Sequence, residues 1–259
     1  MTTLFDLTGK SAIITGSTRG IGQAIAEELA AHGANVVISS RRQESCEAAA
    51  TTINARGGGR AIPIAASVAS KSDLEQLIAG SRKAFGPIDI LICNAATNPY
   101  YGPMSGITDE QFEKILRNNI LSAHWLAQLV VPEMIQRRDG VIVFISSVGG
   151  YRGSSTIGAY NLSKAADLQL ARNLAVELGP HNIRVNCIAP GIIRTHFSRA
   201  LWEDEANANK ALESIPLQRI GDPQDIAGAA VFLASTAGRY VTGQSIVIDG
   251  GATVTIGGI

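Results

Sequence analysis

The sequence is poor in the residues and charges that support several common kinds of function. Its 259 residues include three cysteines and four histidines, and 22 Lys and Arg residues balance 22 Asp and Glu residues. The cysteines, at positions 46, 93 and 187, are too far apart for a zinc site or a disulfide framework, so we expect free thiols, a reducing compartment and no metal. The zero net charge argues against nucleic acid as a partner, because phosphate binding usually requires a basic excess.

Long hydrophobic runs are also absent. The runs at 62–68 and 89–96 are much shorter than the roughly 20 apolar residues that span a bilayer as a helix, so we expect no membrane partner. The N-terminal segment 1–9 lacks the basic and apolar stretches of a secretory signal, and we predict a cytoplasmic protein. The hydrophobic fraction of 46% is still large enough to fill a sizeable core.

Short apolar runs alternate with amphipathic segments of helical length along the chain. Runs of this kind predict strands that are covered on both faces. We predict seven strands, at 10–15, 35–39, 61–66, 88–93, 140–146, 183–188 and 245–249. We predict helices at 21–32, 43–56, 71–85, 108–137, 159–179 and 223–234. The alternation is typical of an α/β fold, a Rossmann-type doubly wound parallel sheet with helices on both faces.

No repeat or low-complexity linker divides the chain, so we predict a single domain over residues 1–259. The most irregular stretch, 190–221, is too polar and too broken to belong to the core. We predict that it forms a mobile substrate lid with one short helix near 198–209.

A glycine-rich segment links the first predicted strand to the first predicted helix. It reads Thr15-Gly-Ser-Thr-Arg-Gly-Ile-Gly22. Glycine lets the backbone turn tightly and approach a pyrophosphate, and the helix N-terminus offers unpaired N–H groups to the anion. An ordinary turn is the alternative explanation. The position between a strand and a helix favours a dinucleotide site.

The end of the second predicted strand bears on the choice of dinucleotide. Enzymes that use NAD place an acidic residue there, which binds the ribose 2′-hydroxyl. This chain has Ser40 and Arg41 instead. Together with Arg19 they can bind a 2′-phosphate, which a carboxylate would repel. We therefore expect NADP(H) as cofactor rather than NAD(H); the alternative is that Arg41 and Arg42 are merely solvated at a helix start.

A tyrosine and a lysine lie four residues apart in a predicted helix, as Tyr160-Asn-Leu-Ser-Lys164. Positions i and i+4 share one helix face, so the ammonium of Lys164 can lower the pKa of the Tyr160 phenol. Such a phenol is a general acid toward a carbonyl oxygen, and its phenolate is a base toward an alcohol. An amphipathic helix surface is the alternative explanation.

Together these segments resemble the short-chain dehydrogenase/reductase family over essentially the whole chain. The glycine-rich loop, Asn94-Ala-Ala, the Tyr-x-x-x-Lys segment and Pro190-Gly occur in the family's order. The resemblance implies four catalytic residues: Asn119, Ser147, Tyr160 and Lys164. Asn118 and Ser146 are the rival assignments for the first two.

The resemblance also implies which residues bind the cofactor. It places the following around the dinucleotide: Gly16, Ser17, Thr18, Arg19, Gly20, Ile21, Gly22, Ser40, Arg41, Ser67, Val68, Asn94, Ala95, Ala96, Tyr160, Lys164, Pro190, Gly191, Ile193 and Thr195. Ser67 replaces the Asp that usually contacts adenine, and Ala96 replaces a glycine. Thr195 is expected to bind the nicotinamide carboxamide, and Ile193 to form a wall beside its ring.

Within the family, the loops 95–102 and 196–202 resemble those of the NADPH-dependent carbonyl and retinal reductases called dehydrogenase/reductase member 4. This resemblance implies a small-molecule ketone, aldehyde or secondary alcohol as substrate. Aromatic residues of these loops and of a third one are expected to line an apolar substrate pocket: Tyr100, Tyr101, Tyr151, Phe197 and Trp202. Packing of the lid is the alternative explanation for them.

We therefore expect an NADP(H)-dependent oxidoreductase that transfers a hydride between nicotinamide and a carbonyl or alcohol, with Tyr160 as general acid and base. One alternative is a 3-oxoacyl-acyl-carrier-protein reductase. Its acidic partner would require a basic patch beside the site, formed by Arg137, Arg138, Arg152 and Arg194. Another is an NADPH-binding sensor or scaffold without turnover. The resemblance also implies a homotetramer, joined through the helices that carry Asn119 and Tyr160 and through the last strand.

Overall fold

Seven short runs rich in isoleucine, valine and alanine form the strands of one parallel sheet. The structure is a computed structural model that describes residues 4–255, apart from the side chains at 207, 208 and 210, so the predicted domain limits at 1 and 259 lie outside the described residues. The strands are β1 Ser11–Thr15, β2 Asn35–Ser39, β3 Ala61–Pro63, β4 Ile90–Cys93, β5 Gly140–Ile145, β6 Ile183–Pro190 and β7 Ser245–Ile248. Their order in the sheet is β3-β2-β1-β4-β5-β6-β7.

Helices cover both faces of the sheet. They are α1 Gly20–Ala31, α2 Gln43–Arg56, α3 Lys71–Phe85, α4 Asp109–Leu116, α5 Ser122–Arg137, α6 Gly158–Leu178, α7 Glu205–Leu212 and α8 Pro223–Ala234. Successive side chains of a strand point to opposite faces, so Ile14 packs with α1, α2 and α8, whereas Ile13 packs with α3, α5 and α6. The predicted α/β fold class is confirmed. Within residues 4–255 no helix has both the length and the apolarity to cross a membrane.

The strand order reverses beside β1, and this reversal positions the functional site. The chain builds outward from β1 through β2 and β3, then returns to place β4 on the other side of β1. The loops that leave the carboxyl ends of β1 and β4 therefore diverge and open a crevice, where such folds bind ligands. Asn94 ties the two loops together, because its backbone N–H donates to Thr15 Oγ1 at 3.1 Å and its side-chain amide to Thr15 O at 2.8 Å.

The segment 108–137 is not the single regular helix that we predicted. It consists of α4, a π-helical turn at Arg117–Leu121, and α5. Such a turn inserts one extra residue into a helix and changes which side chains face inward. Here both Asn118 and Asn119 are buried, and both donate hydrogen bonds to Thr97.

The lid segment, residues 190–221, also differs from the prediction. It contains a 3₁₀ turn at Arg199–Leu201, and its helix, α7, begins later than the predicted 198–209. Residues 195–202 fold as a turn because the Trp202 indole N–H donates to Thr195 O at 3.2 Å and to Ser198 Oγ at 3.1 Å. The lid reaches the glycine-rich loop, since a Cβ on Gly20 would lie 3.2 Å from Thr195 Cγ2.

Candidate active site

The glycine-rich loop forms a cradle at the start of α1. Gly16 and Gly20 have φ angles of +66° and +59°, a region that favours glycine. A Cβ on Gly22 would lie 2.4 Å from Asn94 Nδ2 and 2.5 Å from Gly16 O, so only glycine fits. Arg19, at the N-cap, makes no side-chain capping bond, and the first turn of α1 holds no acid. The cradle and the N–H groups of this turn therefore fit a phosphate anion.

Ser17, which we expected to contact the cofactor, faces the interior instead. Its hydroxyl donates to Ile14 O at 2.7 Å and accepts from Ser39 N at 2.9 Å, and its backbone N–H donates to Ser39 O at 3.1 Å. These bonds tie β1 to β2 and leave its side chain buried. The Ser17 side chain therefore shapes the loop, while its neighbours Thr18 and Arg19 are accessible. Contact between Ser17 and the cofactor stays a prediction.

The carboxyl ends of β2 and β3 lie at the same edge as the glycine-rich loop. Arg19 and Arg41 are exposed, and neither forms an ion pair with the described part of the chain. Ser40 is half-buried, with its Oγ 3.4 Å from Cys46 Sγ. Ser67 donates its backbone N–H to Asp73 at 3.0 Å. Its hydroxyl forms no hydrogen bond with a described residue. Two cations and two hydroxyls therefore surround this end of the crevice.

Three of the four predicted catalytic residues meet at the carboxyl end of β5. Ser147 follows that strand, and its hydroxyl hydrogen-bonds the phenol of Tyr160, a half-buried residue of α6. Lys164 Nζ lies 5.7 Å from the centroid of the Tyr160 ring. The rival Ser146 is buried and donates to Lys164 O at 2.8 Å, so its hydroxyl does not face the crevice.

Burial and charge act on the Tyr160 phenol in opposite directions. Burial raises its pKa above the ordinary value, whereas the Lys164 ammonium and the Ser147 hydrogen bond favour the phenolate. Lysine therefore acts in the predicted direction, but desolvation of the phenolate outweighs it and the net shift is upward.

The surroundings of Lys164 contain a residue that the sequence analysis missed. Lys164 Nζ donates to Ile145 O at 2.8 Å and to Asp167 Oδ2 at 3.0 Å. The two charged side chains are almost wholly buried, with 4% and 3% of their surfaces exposed. The signal was available, because an acid three positions after a lysine lies on the same helix face.

Asn119 fastens the turn after β4 to α6. Its amide donates to Ser163 Oγ at 2.9 Å and to Thr97 O at 3.1 Å, and its carbonyl accepts from Thr97 N at 2.8 Å. The side chain therefore does not bond Lys164 directly. The Asn118 side-chain amide donates to Thr97 Oγ1 at 3.2 Å. Thr97 is a second residue that the sequence analysis missed. No local sequence pattern indicates it, because its hydrogen-bond partners, Asn118 and Asn119, belong to another element.

The predicted aromatic pocket residues divide into two groups. Tyr101, Tyr151 and Phe197 are exposed, and the Phe197 ring lies 5.7 Å from the Tyr160 ring. Tyr100 donates its hydroxyl to Pro103 O at 2.8 Å, and Trp202 closes the lid turn. Tyr100 and Trp202 therefore bond within their own loops, whereas Phe197 lies beside the phenol and Tyr101 and Tyr151 are exposed.

The lid residues expected to border the nicotinamide also divide. Thr195 lies over Gly20, as its methyl group shows. Ile193 has only 4% of its surface exposed, packs in the core with α1 and α8, and pairs with Gly221. Its role as a wall beside the nicotinamide stays a prediction. Pro190 is likewise buried, and Gly191 approaches Asp249 so closely that a Cβ would lie 2.7 Å from its backbone.

Comparison with known proteins identifies the family. Residues 16–253 match the family model described as Enoyl-(Acyl carrier protein) reductase. Dehydrogenase/reductase SDR family member 4 of Sus scrofa is 44% identical over 246 residues, which cover 95% of this chain and 88% of that relative. The chain is a short-chain dehydrogenase/reductase.

Solved short-chain dehydrogenase/reductase structures share the fold over nearly the whole chain. A gluconate 5-dehydrogenase from Burkholderia cenocepacia, in complex with NADP and tartrate, has a TM-score of 0.92 and 32% identity, with 98% of each chain covered. A 7α-hydroxysteroid dehydrogenase, complexed with NADH and a 7-oxo bile acid conjugate, has a TM-score of 0.91 and 37% identity, with 96% of each chain covered. As a family member the chain is an oxidoreductase that binds a nicotinamide cofactor and acts on small molecules.

Proposed function

We propose that this short-chain dehydrogenase/reductase transfers a hydride between NADP(H) and a ketone or aldehyde, or the corresponding secondary alcohol, with Tyr160 as general acid and base. The observation that carries the proposal is the meeting of Ser147, Tyr160 and Lys164 at one end of β5, in the crevice beside the glycine-rich cradle. A protein that only senses or stores the cofactor has no need of this proton-transferring group.

Each residue has a role that follows from its chemistry. The nicotinamide, when bound, supplies or accepts the hydride. The Ser147 hydroxyl holds the substrate oxygen beside the phenol, and Tyr160 gives that oxygen its proton in reduction or removes it in oxidation. The Lys164 ammonium stabilises the phenolate that reduction leaves behind. Asn119 keeps the turn after β4 against α6, and the cradle with the start of α1 binds the pyrophosphate.

The charge at the end of β2 supports NADP(H) over NAD(H). Arg19 and Arg41 are exposed and unpaired among the described residues, so both guanidinium groups can bond a 2′-phosphate. Ser40 adds a hydroxyl where NAD enzymes carry a carboxylate. A hollow between α1 and α2, with Thr18 and Ser45 in its walls, adjoins this corner.

The exposed aromatic side chains support a carbonyl reductase of apolar substrates. The Phe197 ring lies 5.7 Å from the Tyr160 ring, and Tyr101 and Tyr151 are exposed. Stacking on such a ring favours an aryl or extended apolar ketone over a polyhydroxylated acid.

The position of the arginines disfavours the 3-oxoacyl-acyl-carrier-protein reductase. Arg137 and Arg138 lie at the end of α5, before β5 begins, whereas the catalytic residues follow the opposite end of that strand. Arg137 is also paired with Asp89 at 2.6 Å, and Arg138 donates to Pro180 O at 2.9 Å. Of the four predicted arginines, this leaves Arg152 and Arg194 for a basic patch near the lid.

The decisive experiment is NADPH oxidation, followed at 340 nm, against matched carbonyl substrates. We expect aromatic ketones to be reduced faster than acetoacetyl thioesters, and NADPH to give a higher kcat/KM than NADH. A preference for the thioester would instead support a 3-oxoacyl-acyl-carrier-protein reductase. Binding of NADPH without turnover of any carbonyl in the panel would support a sensor.

We further propose that the protein assembles as a cytoplasmic homotetramer. The α6 helix carries Leu162 and Val176 on its outer side, and Val176 has 81% of its surface exposed in the single chain. Apolar side chains of this kind on a helix face favour association. The three cysteines are buried free thiols, as suits a reducing compartment. Light scattering of the purified chain tests the tetramer, and a monomer would refute it.

A further inference from the structure

The charge of Lys164 is already neutralised within the protein. Its ammonium has three N–H donors, of which one bonds Ile145 O and one bonds the Asp167 carboxylate at 3.0 Å. Asp167 and Lys164 are buried on the same side of α6, against β5 and β6. The proposed mechanism assigns no part to this carboxylate, although a buried charge three residues from the proton-transfer machinery is costly to maintain without a role.

We propose that Asp167 is a positioning residue: it holds the Lys164 ammonium in place and offsets its attraction for the Tyr160 phenolate, so that the phenol keeps its proton and is set toward the acid role in carbonyl reduction. This inference rests on the proposed function, which makes Tyr160 the proton donor.

The physical reason is the charge that the phenol faces. An isolated ammonium favours a nearby phenolate, whereas an ammonium paired with a carboxylate carries no net charge and favours it far less. Burial raises the pKa of Tyr160, Lys164 lowers it, and Asp167 raises it again. Burial lowers the pKa of Lys164, and Asp167 opposes this and raises it. Removing the carboxylate should therefore leave the phenolate as the counter-ion of the ammonium.

The other groups around the pair cannot replace Asp167. Cys93 from β4 and Cys187 from β6 also act on this cluster, but burial raises the pKa of both thiols and keeps them neutral. The remaining neighbours of Lys164 are neutral as well, namely Ile145 O of β5 and the Tyr160 phenol. Burial also raises the pKa of Asp167 itself, and Lys164 opposes that shift.

The first test reads the phenol directly and does not need turnover. Tyrosinate absorbance at 295 nm is titrated for the wild type and for Asp167→Asn, each with its Tyr160→Phe partner subtracted, while circular dichroism verifies the fold. We expect Tyr160 to ionise at least one pH unit lower in Asp167→Asn, about a tenfold change in its ionisation constant. Glu177→Gln is the matched control. It removes the same charge from an exposed site on α6 about 15 Å away along the helix and should leave the titration unchanged.

The second test uses the pH profile of carbonyl reduction with saturating NADPH. In Asp167→Asn the alkaline limb of kcat/KM should move to lower pH by the same amount, while Asp167→Glu, which keeps the charge, should retain the wild-type limb. Asp167→Leu serves in place of the amide variant if that variant does not fold. An unmoved limb with a uniformly lower kcat, or a phenol that ionises at the wild-type pH or higher, would overturn the proposal. A shifted phenol in a chain that reduces no carbonyl would instead refute the proposed function alone.

Discussion

The two walls of the active-site crevice are built in opposite ways. The proposed catalytic residues Ser147, Tyr160 and Lys164 form a floor, which rests on a central strand and a 21-residue helix and is held by buried hydrogen bonds. The lid, residues 190–221, presents exposed side chains such as Phe197 and is held by a small local network around Ser198 and Trp202. Rigid elements position groups more accurately than loops do. We therefore assign proton transfer to the floor and substrate choice to the lid.

The largest loss of activity should come from a substitution in the floor. Tyr160→Phe removes the proton that reduction requires and keeps the ring, so kcat should fall about 10²–10⁴-fold. NADPH binding, measured by cofactor fluorescence, should persist. Tyr240→Phe is the control, because that side chain is fully exposed and should behave as wild type. Equal kcat in wild type and Tyr160→Phe would remove the distinction between floor and lid.

The floor was also the more predictable region from sequence. Tyr160 and Lys164 lie at helical spacing, so their common face follows from helix geometry alone. The seven strands were predictable because each is a short apolar run covered on both faces. The identity of the family pointed to Ser147 over Ser146, and the structure adds a physical distinction, since Ser146 donates inward to Lys164 O.

What was missed depends on contacts between elements that are distant in sequence. The apolar pattern of 108–137 continues through the π-helical turn, so periodicity could not reveal the turn or its bonds to Thr97. The spacing of Lys164 and Asp167 was visible in the sequence, but only the packing of α6 on β5 and β6 shows that the pair is buried. In the lid, the burial of Ile193 and the bonds of Trp202 could not be predicted, because they depend on how the loop folds back.

The next largest effect, on cofactor binding and thermal stability, should come from the glycine-rich cradle beside the floor. In Gly22→Ala the new methyl group would overlap Asn94 Nδ2 and Gly16 O, so the loop must open. Overpacking of this kind costs about 1–3 kcal/mol, which lowers the Tm of a chain of this size by about 2–10 °C. The Kd for NADPH should rise at least tenfold. Gly228→Ala is the control: it lies in α8 with nothing within 4 Å, and it should stabilise the protein by about 0.5–1 kcal/mol. Equal thermal shifts would contradict the cradle geometry.

A smaller effect, confined to the substrate, should come from the lid. Phe197→Ala removes an exposed ring beside Tyr160 without disturbing the core. We expect KM for an aromatic ketone to rise about tenfold, because the lost aromatic contact is worth about 1.4 kcal/mol. The kcat for small aliphatic ketones such as acetone and the Tm should not change. Leu217→Ala, at the far end of the lid and also exposed, should alter neither constant. A fall in kcat for every substrate would mean that Phe197 orders the floor instead.

The smallest effect should come from the bond that closes the lid turn. Trp202→Phe keeps a ring but removes the indole N–H that donates to Thr195 O and Ser198 Oγ. A hydrogen bond of this kind contributes about 0.5–1.5 kcal/mol, so KM for NADPH should rise about 2–10-fold because Thr195 lies over Gly20. The chain has two tryptophans, and the indole N–H of Trp125 bonds no described residue, so Trp125→Phe is the matched control. Since the floor is untouched, kcat should stay constant in both variants; a loss of kcat in Trp202→Phe would show that the lid also positions the reacting groups.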